Sequence, residues 1–560
     1  MKSRYGCAGS SGRMARPRSR QRGAIAMMTA VFLFLGIMCL VLVVDTGRLY
    51  FEQRRLQRVA DTTALDTATQ GGLCNVAGTS LVSLARDSAT RNGYTGDVGV
   101  APNRVTGGYL NTAGGIRSFV ADSSNIEAVQ VHLQKQVPAS LIAGGIFGGQ
   151  VNLQAQATAR RVPVATFSAG SGLLNVDTAK SALLNPLLTS LLGTSSQINL
   201  NAVAYQGVVD ADVSLLDILQ SAGLIGSRVT VGAVDTALDT QITLAGFVDA
   251  SINALDDSGV ANVGLLRSQL IGIRNATLRL SDIVAVDAAP GMVEEALKAN
   301  VNVLELIMAA AMAANKGNAV ALNSGVSGLG LSLRVVEPPR IASGAPGRNA
   351  NGDWTTEART AQVQLTATMN NAILNIISGS MALSVNVAQG RAWFEEARCR
   401  TLATGQTDIN LVGQTALVSM RLGNTSGTGD ALIQANVIVP VLEAQVGLTA
   451  NIGQSAERDL DYAVANKKEE LPEMKSMSSG NGLHSSISQL NVHDLKILGI
   501  NLGLDVGALL APLRTLLIDS ILNNVLNPVV VPLLALLGVA PGTMDVTLLD
   551  VQDGPAVLVE

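Results

Sequence analysis

The longest apolar pattern in the chain runs from Ala24 to Val44 and contains no charge. That is about the ~20 residues a helix needs to cross a ~30 Å hydrocarbon layer. It is longer than the ~7–15-residue apolar region of a secretory signal. No small-x-small cleavage site follows it, since Asp45, Thr46, Gly47 and Arg48 come next. The pattern predicts a retained membrane helix over 23–45, bounded by Gly23, Ala24 and Val44. Helical spacing then continues, with Leu49, Leu56, Ala60, Thr63, Ala64 and Thr67 recurring every three to four residues and charges between them. Gly71 and Gly72 end it. One helix is therefore expected to leave the membrane and run past its surface. Its seam of small residues would pack on the protein's own body or on a partner helix, the first being the simpler reading.

Past this helix the period changes to two. Val129, Val131 and Leu133 alternate with Gln130, His132 and Gln134. Leu153, Ala155, Ala157 and Ala159 alternate with Gln154, Gln156, Thr158 and Arg160. Both stretches read as half-buried strands. They flank an apolar Gly-rich excursion carrying Ile142, Ile146 and Phe147. Beyond residue 164 strands and helices mix. Residues 181–193, 212–223 and 293–314 read as helices, and 197–207, 360–369 and 382–394 as strands. Residues 338–355 read as a long loop rich in Pro, Gly and Asn. Residues 520–544 carry no charge, but Asn523, Asn524, Asn527, Pro528 and Pro532 favour a short helical segment echoing 181–193 over a second span. The fold class is α+β: a single N-terminal transmembrane helix followed by a large mixed region. The expected segments are a basic tail (1–22), the membrane helix (23–45) and a membrane-proximal helix plus strand pair (46–163). A mixed region (164–465), a linker (466–486) and a Leu-rich C-terminal segment (487–560) follow.

Composition changes this picture little. Apolar residues make up 48% of the 560 and aromatic residues 3%, so the core must be built from aliphatic side chains. The net charge of −4 gives no reason to expect a nucleic-acid partner. Charge does bear on topology. Lys2, Arg4, Arg13, Arg16, Arg18, Arg20 and Arg22 precede the apolar run with no acid among them, against Arg48, Arg54, Arg55 and Arg58 after it. The bias places the tail in the cytoplasm and the bulk in the periplasm. There Cys74 and Cys399 either form a disulfide or stand as two free thiols. Candidate chemistry is sparse. Of the three histidines, His132 lies on the polar face of a strand and His484 and His493 near the linker, and no His-Glu-x-x-His, Gly-x-Ser-x-Gly or phosphate-loop pattern occurs. Residues 349–354 lack the downstream acid of a calcium loop. Residues 249–253 approach Asp-x-Ser-x-Ser but end in Asn253. The expectation is a non-enzyme with no cofactor and no metal.

The N-terminal residues then carry a resemblance. Arg22-Gly23 opens the membrane helix. Val44-Asp45-Thr46-Gly47-Arg48 closes it, and Leu56-Gln57-Arg58-Val59-Ala60-Asp61-Thr62-Thr63-Ala64-Leu65 follows. This ordered set resembles the N-terminus of TadG-like proteins of the tight-adherence (Flp pilus) assembly family. The motif residues are Arg22, Gly23, Asp45, Gly47, Arg48 and Asp61. The resemblance implies a bacterial inner-membrane accessory or scaffold protein of pilus assembly. Its partners would be the bilayer and either pseudopilins or the assembly platform, with self-association open. The family's small pseudopilins are cleaved after a glycine and carry Glu at the fifth position beyond it. Here that position is Met28, which argues for a retained anchor. Alternatives are a surface adhesin or a cleaved minor pseudopilin, and more remotely an envelope hydrolase.

Overall fold

A computed structural model describes residues 22–71, 80–111, 118–123, 126–140, 149–170, 178–201, 205, 211–226, 231–257, 267–270, 272–287, 293–349, 351–401, 406–435, 442–465, 470–479, 490–497, 500–501, 507–539 and 542–559. The first helix, α1 (Arg22–Gly71), is unbroken. Its two halves meet different surroundings. In the first half Ile25, Phe32 and Leu42 are 68–71% exposed, so nothing among the described residues covers them. In the second half Leu56, Ala60, Thr63, Ala64, Thr67 and Ala68 are buried. The seam packs on the protein's own body. Leu56 contributes about 2 kcal/mol of apolar burial, while the alanines let the helix axis come close to what lies beneath.

Beneath α1 lie α2 (Leu81–Arg91) and four strands: β1 (Arg104–Asn111), β2 (Ser118–Ala121), β3 (Ala128–Pro138) and β4 (Gln150–Ala169). Strands β3 and β4 are antiparallel from Ala128↔Arg160 to Pro138↔Gln150. Their alternation buries Val129, Val131, Leu133, Leu153, Ala155, Ala157 and Ala159 against α1 and α2. The excursion with Ile142, Ile146 and Phe147 lies outside the described residues, as do Cys74 and the side chain of Cys399 with the pairing considered for them.

Strand β4 outruns β3. Its second half, Ala159–Ala169, pairs with the C-terminal strand Thr543–Leu558, and near its end with Ile341–Gly344. Strand Glu473–Ser478 adds to the C-terminal strand. One eight-stranded sheet thus crosses the segments 46–163, 164–465, 466–486 and 487–560 that composition suggests. The stretch read as a linker holds a strand, and so does the loop read over 338–355. A second, nine-stranded sheet has Leu329–Glu337, Gln362–Asn370, Ser378–Val387 and Val418–Gly423 in its middle. A four-stranded sheet is built around Arg391–Thr401 and Gln406–Gln414. The expected strand 382–394 is thus the end of one strand and the start of another.

Helices fill the space against the nine-stranded sheet. The run expected as one helix over 293–314 is two, Val293–Leu297 and Val303–Ala314, with strand Asn300–Asn302 between. Asn302 restarts the helix by accepting from Glu305 N at 3.1 Å. Residues 197–201 do not form the expected strand. The Asn185 amide takes the partner strand's place, donating to Leu200 O and accepting from Leu200 N, each at 3.0 Å. The apolar stretch near the C-terminus passes through helix Gly507–Ile521, π-helix Leu522–Val530 and helix Val531–Leu536. Ala511–Leu536 is long and apolar enough to cross a membrane. However, Leu513, Leu517, Val525, Leu526, Val530 and Leu534 are buried in the largest core.

Candidate functional site at the membrane-proximal junction

The residues singled out in the sequence converge where α1 passes from its exposed half to its packed half. Gly23, Ala24 and Val44 lie on the exposed half, and among the described residues no neighbour stands within 4 Å of a Cβ added at Gly23 or Gly47. Arg22 is in the helix. Asp45 is 8% exposed, an unusual burial for a carboxylate at the end of an apolar run. Arg48 donates to the carbonyl of Pro138, the last residue of β3. The Asp45–Arg48 element is therefore where the helix first meets the body.

A side-chain clasp follows one turn later. Gln53 Nε2 donates to Gln154 O at 2.6 Å and Gln57 Nε2 to Gln156 O at 2.9 Å. These carbonyls lie along the part of β4 that the C-terminal strand does not reach. The next in the series, Thr158 O, accepts from Val559 N at 2.9 Å. The helix thus takes over where strand pairing stops. The spacing allows it: four helical residues rise about 6 Å and two strand residues about 6.7 Å. Gln57 also donates to Asp61 Oδ1 at 2.8 Å, so the motif acid holds the clasp in place. The clasp blunts a strand edge that would otherwise be open to another chain.

Ion pairs and buried polar groups complete the junction. Lys135 Nζ lies 2.8 Å from Glu52 Oε2. This hydrogen bond is the main reason the Glu52 carboxyl sits below its ordinary value. Arg161 closes the far end, donating to Thr69 O at 3.0 Å and Gly554 O at 2.8 Å. Tyr94, whose phenol is pushed up by burial, donates to Gln134 O at 2.6 Å and contacts Asn103 Oδ1 at 2.9 Å. Sequence reasoning placed Leu56, Ala60 and Asp61 here but missed Gln53, Lys135 and Arg161. The two glutamines four apart were the readable signal, and the partners of the other two are set only by the fold.

A second feature lies elsewhere. A small cleft of about 60 Å³ is lined by Glu305, Met308, Met312, Arg340, Arg359 and Leu536 among others. Burial first, and then the Asp212 carboxylate, push the Glu305 carboxyl up to about 7. Among the described residues no group of three or more His, Cys, Asp or Glu side chains is placed to hold a metal ion.

Comparison with known proteins follows the same geography. Residues 23–70 match the family described as putative Flp pilus-assembly TadE/G-like, and residues 63–159 match that described as putative Tad-like Flp pilus-assembly. No curated protein and no solved structure matches the chain. The matched region comprises the long helix α1, its clasp and the strands beneath, and it ends at the residue of β4 where the C-terminal strand takes over.

Proposed function

Over residues 23–159 the chain is a Tad/Flp pilus-assembly family protein, and from that premise we propose that it is a non-catalytic scaffold of tight-adherence pilus assembly. In this reading α1 crosses the inner membrane once, with the N-terminus in the cytoplasm and the body in the periplasm. The charge bias of seven basic residues before the span against four after it supports that orientation. The observation that carries the proposal is the unbroken α1. A single helix joins the lipid-facing half to a half that is clasped along β4, with no loop between them. Such a joint fixes the body's attitude to the membrane, which is what a protein that positions pilins or the assembly platform requires. The packing that holds α1 to its own body also favours an anchor over a subunit whose N-terminal helix is given up to a fibre.

The test is the intact mass and N-terminal sequence of the protein from native membranes, together with pilus counts in a deletion strain. The expected result is a chain that still carries Arg22 and a strain without pili, restored by the full-length protein. A chain beginning at Ala24 would overturn the anchor in favour of a cleaved subunit. A deletion strain with normal pili would overturn the assembly role.

A further inference from the structure

The outward face of α1 just above the membrane has a composition that the packed face does not explain. Tyr50, Phe51, Arg54, Arg55 and Arg58 are all exposed, Tyr50 by 55% and Phe51 by 73%. At 100° per residue they occupy an arc of about 140°. Leu56, Val59, Ala60 and Thr63 occupy the opposite arc and are buried. Among the described residues no ion pair engages Arg54, Arg55 or Arg58. Glu52 is turned to the body and held by Lys135, and it also feels the charge of Arg55, whose guanidinium leans toward Gly93. The outward arc is therefore cationic and aromatic until Asp61.

Height above the membrane matters as much as charge. Tyr50 lies about 9 Å beyond Val44 along the axis, and Arg54 about 15 Å. Long side chains on a helix point back toward its N-terminus, here toward the bilayer. The Arg54 guanidinium does so, lying 4.9 Å from the centre of the Tyr50 ring. That brings its charge down to the level of the aromatic pair. Tyr50 and Phe51 meet edge to face at 6.3 Å. Aromatic rings favour the interface between headgroups and acyl chains, and arginine is suited to bidentate contact with phosphate.

We propose that this arc binds the phosphate headgroups of anionic phospholipids in the leaflet on the body's side of the membrane. Tyr50 and Phe51 sit at the headgroup level, Arg54 reaches down to the phosphates, and Arg55 and Arg58, higher on the helix, add to the positive field above them. The proposal rests on the membrane-anchor reading but not on its orientation, because the arc lies on the body's side either way. With the body in the periplasm, it also accounts for arginines on a flank where positive charge is otherwise disfavoured.

The experiment uses the full-length protein in neutral detergent, titrated with short-chain phosphatidylglycerol or phosphatidylcholine and read by native mass spectrometry. The expected result is binding of phosphatidylglycerol over phosphatidylcholine by about tenfold or more, weakened by salt. R54Q/R55Q/R58Q should lose that preference and R54K/R55K/R58K should keep most of it, each with an unchanged thermal unfolding curve. Equal binding of the two lipids, or an unaffected R54Q/R55Q/R58Q protein, would overturn the proposal. So would capture of an acidic protein by a photocrosslinker at position 54 in place of lipid. Carbonate extraction of native membranes separates the two readings. A protein released by carbonate fails as an anchor, whereas one retained but without lipid preference fails only here.

Discussion

A carboxyl that faces an apolar cleft and a second carboxylate holds its proton longer than one in water. Glu305 is in that position, with its carboxyl raised from 4.5 to about 7 by burial and by Asp212. Below pH 4.5 the folded and unfolded chains both carry the proton. Between 4.5 and about 7 only the folded chain does, so its stability falls as pH rises, and above about 7 the loss is complete. Glu305→Gln removes the titrating group while keeping an acceptor for Ser168. Relative to the wild type, the variant should gain about 2 kcal/mol between pH 5 and pH 8, less than the ~3 kcal/mol of the whole shift because part of it falls below pH 5. Urea unfolding at the two pH values measures this, and an identical offset at both would refute it. Glu52 goes the other way because Lys135 stabilises its charged form. The contrast comes from position in the fold, and neither glutamate is distinguishable in the sequence.

The clasp between α1 and β4 is a property of two elements taken together. Gln53→Ala with Gln57→Ala leaves two edge carbonyls to water, and the bonds are exposed enough that water can replace them. The double variant is expected to lose about 1 kcal/mol in denaturant unfolding. An unchanged midpoint would mean that apolar packing alone seats the helix. Elements of this kind were partly legible in the sequence. The alternation over Val129–Leu133 and Leu153–Ala159 marked the strands, because one face of each is buried on α1. The seam from Leu56 to Thr67 marked the packed face of the helix for the same reason. Illegible were the elements whose partners lie far away. Glu473–Ser478 reads as charged and flexible, since its pairing with Thr543–Leu548 depends on the whole fold. The break at Asn300–Asn302 was concealed by continuous apolarity, although Asn302 followed by Glu305 had the form of a helix start.

At the scale of the molecule, β4 is the common member. Its first half belongs to the matched N-terminal region, while its second half holds the C-terminal strand and Ile341–Gly344. Phe167 of β4 is buried beside Val546 and Leu548 of the C-terminal strand and Phe394 of the four-stranded sheet. Removing 543–560 strips that core of one wall. The truncated protein should melt at least about 10 °C lower and lose its single cooperative transition, as scanning calorimetry would record. A transition unchanged in position and sharpness would show that the C-terminal strand is dispensable. The cleft and the clasp are likewise products of assembly, which is why candidate chemistry could not be read from local motifs.

The pairing of β4 with Thr543–Leu558 also sets a timetable. A ribosome delivers β4, which ends at Ala169, long before its second-half partner, which begins at Thr543. Throughout that interval the edge of Ala159–Ala169 that Thr543–Leu558 will take waits unpaired, beside the first half of β4 that α1 clasps. The first sheet therefore closes late, and whatever keeps that waiting edge from other chains acts while the segments between the two strands are still arriving.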